Sequence, residues 1–312
     1  MTHPTYRDFS EYLRRVFPHY KVQKISINAG FTCPNRDGSK GQGGCTYCNN
    51  HSFSPSYTMV GGSIMEQLYA GKAFFHSKYP DMKYLAYFQS YTNTYGDLSE
   101  LKKLYEEALG CEDVVGLIIA TRPDCVDIGL LDYFQELSRR TFVYIEYGVE
   151  STCEETLIRI NRGHTFEDSK WAIIETAKRE IPVGAHLIIG LPGEGEIKYL
   201  QHINRLSQLP ITSLKLHQLQ ILRGTKLAKE HYEQSFPLFE AEEYAELVCK
   251  MLRRLRPNIY VDRFVSQAPS NMVIAPRWGI KNYQFIHLVE HLMKERGWFQ
   301  GDCYQGELPK YD

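Results

Sequence analysis

The chain has 312 residues, 43% hydrophobic and 23% charged, with a formal net charge of −1. This is an ordinary globular composition on a chain long enough to bury a large core, and the near-zero charge argues against bulk electrostatic capture of nucleic acid. The longest purely apolar run, Val114 to Ala120, falls far short of the roughly 20 residues that cross a bilayer, and Met1 to Phe17 lacks a secretory apolar stretch. A cytoplasmic enzyme with no membrane association is expected.

In chain order, residues 1–21 form a helical extension, and the first convincing strand is Val22 to Asn28, where Ile25 and Ile27 alternate with polar neighbours. A loop over 31–50 follows, holding Cys33, Cys45 and Cys48 among Gly38, Gly41, Gly43 and Gly44. Ser63 and Glu66 are spaced as a capping box that opens a helix. Tyr84 to Phe88 is the second strand, and it runs into Gln89-Ser90-Tyr91-Thr92-Asn93-Thr94. After a helix from about Leu98, Val114 to Ala120 predicts a strand buried on both faces, as in a parallel sheet. Asp127 caps the next helix, Phe142 to Val149 is a strand, and Thr165 with Asp168 opens another helix. Val183 to Ile189 and Leu214 to Leu222 are the fifth and sixth strands.

Six strand–helix units with short connectors imply a parallel α/β sheet, either curled into a full or partial barrel or doubly wound and open. In both architectures ligands bind at the carboxyl ends of the strands. Unlike polar loops converge there: the cysteine loop, Gln89 to Thr94, Thr121-Arg122-Pro123-Asp124, Glu150-Ser151 and Gly190 to Glu194.

The Cys-x11-Cys-x2-Cys spacing supplies three thiols for a metal centre with one position open, which suits catalysis. Zinc is the competing metal, with His51 completing a Cys3His set. Disulfide bonding is the weaker alternative in a chain of this length and expected compartment. The other cysteines, Cys111, Cys125, Cys153, Cys249 and Cys303, form no second Cys-x2-Cys pair and read as small buried hydrophobes. The basic clusters at Arg14-Arg15, Arg139-Arg140 and Arg253 to Arg256 read as solvated helix faces.

Cys33 to Cys48, with Tyr47 just before the last cysteine, resembles the cluster loop of radical S-adenosylmethionine (SAM) enzymes. More narrowly, Cys33-Pro34-Asn35-Arg36-Asp37-Gly38 leading into Gly43-Gly44-Cys45-Thr46-Tyr47-Cys48 resembles the YhcC/YtqA-like family, related to the elongator catalytic subunit but without its acetyltransferase domain. The resemblance extends through Phe88 to Tyr95, Ala120 to Asp124 and Asn161 to Thr165, and covers essentially the whole chain. It implies a partial (β/α)6 TIM-like barrel over 22–257, a capping segment over 258–312, and reductive cleavage of SAM at a [4Fe-4S] cluster. Carried over residue by residue, Cys33, Cys45 and Cys48 bind the cluster and Tyr47 lies against the adenine. Gln89 and Ser90 stand where related enzymes hold the methionine amine with glycines that this chain lacks. Arg162 is similar to the arginine that pairs with the methionine carboxylate, and Glu150 and His186 stand at ribose-contacting positions. His164 and His217 are expected to be structural, whereas Arg122 and Asp124 either serve a ligand or form a local ion pair. The resemblance further implies an external electron donor of flavodoxin or ferredoxin type and a tRNA wobble uridine as substrate. Arg263, Arg277, Trp278 and Lys281 would then offer phosphate contacts and a stacking ring. A small metabolite or protein side chain is the alternative substrate, and a zinc-organised binding module without turnover is the remote one.

Overall fold

The computed structural model describes residues 4–52, 55, 58, 62–76 and 81–306. Their elements, in order, are α1 (Phe9–Val16), β1 (Val22–Ile27), α2 (Ile64–His76), β2 (Lys83–Phe88), α3 (Leu98–Leu109), β3 (Val114–Thr121), α4 (Ile128–Ser138) and β4 (Phe142–Glu150). Next come α5 (Glu154–Arg159), α6 (Phe166–Ala177), β5 (Val183–Ile189), α7 (Glu196–Ser207), β6 (Ser213–Gln218) and β7 (Ile221–Leu222). The chain continues with α8 (Lys226–Glu233), α9 (Ala241–Arg254), β8 (Tyr260–Arg263), β9 (Val273–Ala275) and α10 (Asn282–Glu295).

The sheet runs β1-β2-β3-β4-β5-β6-β8, every neighbouring pair parallel. It is an α/β half-barrel with one strand more than the expected six. The seventh strand, β8, is four residues long and follows Pro257 closely, so it lacks the length that makes a strand visible in sequence. The expected sixth strand also divides. Gln218 ends β6 by exchanging bonds with Ser266, donating from Nε2 to its carbonyl at 2.9 Å and accepting its N–H at 2.6 Å. β7 then pairs antiparallel with β9.

Two apolar layers hold the sheet. Outward-facing residues such as Ile25, Ile27, Phe88, Leu117 and Ile119 pack under the helices, while Leu85, Tyr87, Ile118 and Tyr144 face inward. The amino-terminal mouth is plugged by α1 and the residue after it: Phe9 meets Tyr144 edge-on at 5.3 Å and Phe17 meets Phe142 at 5.3 Å. Helix starts follow the local signals. Thr165 and Asp168 form a reciprocal capping box, Asp127 accepts from Leu130 N, and Ser63 and Glu66 bond each other's backbone. Among the described residues, no helix is long and apolar enough to cross a membrane.

Candidate functional site

The carboxyl ends of the strands surround one cavity, and the cysteine loop forms one wall of it. Gly43 and Gly44 sit at φ +77° and +73°, a left-handed pair that side chains resist and that lets the loop fold back before Cys45. The segment after α5 holds the loop in place. Thr46 N donates to Ile160 O at 2.9 Å, Asn161 Nδ2 to Gly44 O at 2.9 Å, and Asn35 Nδ2 to Asn161 O at 2.5 Å. Asn161-Arg162-Gly163-His164 is thus the mould for the cysteine loop.

Cys33, Cys45 and Cys48 all line the cavity. Donors are aimed at two of the sulfurs: Asn35 Nδ2 and Arg162 Nη1 lie 3.6 Å from Cys45 Sγ, and Arg36 Nη2 lies 3.5 Å from Cys48 Sγ. Burial, reinforced by Cys45, pushes the Cys48 thiol up to about 11. Asn35 Oδ1 and Arg162 Nε are buried without partners. Such a donor set suits thiolates that carry negative charge onto a metal group, with hydrogen bonds to sulfur adjusting its properties. Among the described residues, no three metal-ligating side chains gather around a single-ion position. His51 is exposed on a short 3-10 turn and stands outside the cavity lining.

Of the other expected contacts, Tyr47, Gln89, Glu150, Arg162 and His186 line the same cavity; Ser90 is buried and does not. Gln89 Oε1 accepts from Ser26 Oγ at 3.0 Å. Glu150 ends β4 at a register irregularity and at φ +68°, a backbone state costly for a residue with a side chain. Arg162 donates from Nη2 to Gly148 O at 2.7 Å and stands 3.6 Å from the Glu150 carboxylate. A Cβ at Gly148 would lie 2.5 Å from Glu150 Oε1 and 2.8 Å from Arg162 Nη2, so a side chain there would displace both groups. Arg122 and Asp124 are a bidentate ion pair, both contacts at 2.9 Å, joined by Lys40. His164 is buried against the Thr165 and Gly148 carbonyls, and burial lowers it to about 3.

Deeper in the barrel lies a network that the sequence reading did not single out. Glu146 of β4 accepts from Lys215 Nζ at 2.8 Å, Lys24 Nζ at 3.2 Å, Tyr87 OH at 2.6 Å and His186 Nε2 at 3.0 Å. Asp262 of β8 pairs with Lys215 at 2.9 Å and with Lys24 of β1 at 3.1 Å. Burial opposes the Glu146 charge, but Lys215 and then Lys24 hold the carboxyl well below the usual range. Its signal in sequence was the inward alternation Tyr144-Glu146-Gly148, Gly184-His186-Ile188 and Ser213-Lys215-His217, which puts ionisable residues on a lumen-facing register.

Comparison with known proteins agrees with this geometry. Residues 30–206 match the radical SAM superfamily, and 211–295 match the Radical_SAM C-terminal domain. The chain belongs to the radical SAM superfamily. It is 33% identical over 307 residues to the uncharacterized protein YtqA of Bacillus subtilis, covering 97% of this chain and 94% of YtqA. It is 35% identical over 278 residues to the protein YhcC of Escherichia coli, covering 89% of each. The tRNA uridine(34) acetyltransferase of Methanocaldococcus infernus is 25% identical over 203 residues, spanning 64% of this chain but 36% of that protein. The solved structure of M. infernus Elp3, lacking residues 1–46, shares the fold with a TM-score of 0.68 at 17% identity, over 90% of this chain and 64% of that one.

As a radical SAM enzyme, the chain works with a [4Fe-4S] cluster and SAM and needs an external reductant. The segment expected to meet phosphate differs from expectation at Trp278 and at Arg263. Trp278 is not a free stacking ring: its Nε1 donates to Phe239 O at 2.8 Å and its ring stacks on Phe285 at 5.8 Å. Arg277 is exposed and donates to Val273 O, whereas Arg263 lines the cavity instead of the outer surface.

Proposed function

We propose that this enzyme modifies RNA, at a uridine side chain in the tRNA wobble position. The carrying observation is the alignment of 203 residues with the tRNA uridine(34) acetyltransferase, in a chain that shares its fold with an Elp3. When bound and given one electron by the external reductant, the cluster and SAM would supply the 5′-deoxyadenosyl radical chemistry that abstracts hydrogen from a substrate. Cys33, Cys45 and Cys48 hold the cluster, with Arg36, Asn35 and Arg162 orienting the thiolates. Arg162, with its free Nε, and Gln89 bind the amino-acid end of SAM. Glu150 and His186 take the ribose hydroxyls, and Tyr47 covers the adenine. His186 accepts a hydroxyl hydrogen there through Nδ1, because its single N–H, at Nε2, is committed to Glu146. Ser90 acts through backbone shape, being buried away from the cavity. The lid-like β7–β9 ribbon, with Leu222 on the cavity wall, limits water near the reacting atoms. A flavodoxin or ferredoxin in the cytoplasm is the electron donor.

Two experiments test this in turn. Anaerobic enzyme is assayed for iron, sulfide and 5′-deoxyadenosine after reductant and SAM are added. Nucleosides from the tRNA of a null strain are then compared by mass spectrometry with those of the parent. A wobble nucleoside that disappears in the null strain supports the RNA substrate; identical nucleoside profiles overturn it and leave a small metabolite or protein side chain.

A further inference from the structure

Among the described residues of the barrel lumen, one cation is left without an ion pair. Lys24 and Lys215 are balanced by Glu146 and Asp262 at 2.8–3.2 Å. Arg263 is the third cation against those two carboxylates. Among the described residues it makes no ion pair; its Nη2 donates to His217 Nε2 at 3.1 Å, and its buried Nε has no partner. His217 cannot supply the missing negative charge. Half-buried, cut off from most solvent and beside Arg263, it is held uncharged, with its ring stacked 5.6 Å from His186. The Arg263 guanidinium is half-buried with its Nε shut off from solvent, and a charge so placed without a counter-charge is costly unless a ligand supplies one.

The position of Arg263 gives the leftover charge a use. A second cavity opens between the two edge strands of the half-barrel, lined by Lys24 and Ser26 of β1 and by Asp262 and Arg263 of β8. It shares Tyr87, Gln89, Arg263 and Ser266 with the cavity that the cysteines line. Arg263 therefore stands where the side gap meets the reaction chamber. We propose that Arg263, oriented by His217, binds an oxyanion of the substrate, a phosphate or a carboxylate, at the junction of the side gap and the chamber. A guanidinium fork suits both groups because it offers parallel N–H donors to two oxygens. This site does not depend on the substrate being RNA. It would hold a nucleotide phosphate or the carboxylate of a metabolite equally well.

The test titrates the cluster-loaded, anaerobic enzyme with inorganic phosphate and, separately, with acetate at fixed ionic strength, reading the shift in thermal midpoint. The expected result is a saturable rise with at least one anion, and an apparent affinity weaker by about tenfold or more in Arg263→Gln. Without anion, Arg263→Gln should melt at or above the parent temperature, because a half-buried charge without an ion pair has gone. Arg263→Lys, which keeps the charge without the fork, should retain part of the affinity. A response to phosphate alone assigns a phosphoryl-bearing substrate. A response to acetate alone assigns a carboxylate, and then the anion site stands while the tRNA substrate falls. The inference is overturned if the parent responds saturably to neither anion, if Arg263→Gln binds as tightly as the parent, or if Arg263→Gln melts lower without anion.

Discussion

The two ends of the half-barrel are built from the same strands and treated in opposite ways. At the amino-terminal end, Phe9, Phe17, Phe142, Tyr144 and Tyr260 close the lumen with packed rings, and the carboxylates above them are paired with lysines. At the carboxyl-terminal end, β4 runs out into Glu150, left-handed at φ +68° with the residue on the cavity wall, whereas the left-handed Asp113 at the other end is ion-paired with Lys72 and Lys83. Buried polar atoms there, Asn35 Oδ1, Thr46 Oγ1 and Arg162 Nε, lack partners. Strain and unmet hydrogen bonds cost stability, and they persist only where the rest of the structure over-determines the fold. The closed end and the paired network supply that surplus, and the rim uses it to hold ligand-binding groups ready.

That contrast can be broken from either side. The largest effect is expected at the rim: Cys45→Ala should lose iron and sulfide and bring SAM cleavage below detection, while the far-ultraviolet circular dichroism stays native. A variant that keeps its cluster would mean that Cys45 is no ligand. Next is the network, where Glu146→Gln leaves Lys215 and Lys24 short of counter-charge and should cost about 3–5 kcal/mol in urea unfolding. A change near zero would show the network to be dispensable for stability.

Acid should weaken the interior in two stages. His186 and His217 are held below the ordinary imidazole value of 6.5, chiefly by burial. The unfolded chain takes up those protons and the folded chain does not, so stability should decrease as pH falls below about 6.5. Asp262, which burial would raise but which Lys215 and Lys24 bring down to about 2, adds a further loss as pH falls below its ordinary 3.8. A thermal midpoint that stays flat from neutral pH to pH 5 would contradict the neutral histidines. The smallest effect belongs to His51, exposed and off the cavity: His51→Ala should leave iron content unchanged. Loss of metal in that variant would revive the zinc alternative.

Much of this architecture was legible because its signals are local. A capping box spans four residues, a strand's alternation spans six or so, and the spacing of Cys33, Cys45 and Cys48 is written directly in the chain. Those features determined the strand–helix alternation, the loops that gather at one sheet edge and the thiols that line the cavity there. What was missed depends on residues far apart in sequence. Alternation shows that Lys24, Glu146 and Lys215 face one side of their strands, but not that three strands bring them together across a lumen. Composition cannot tell a surface arginine from Arg263, whose place was decided by a four-residue strand adding to the sheet edge. Nor can it tell a stacking platform from Trp278, which packs half-buried against the core through Phe285 of α10. Short-range preferences set the elements; only their assembly decided which charges would be paired, which would be spare and which rings would be covered.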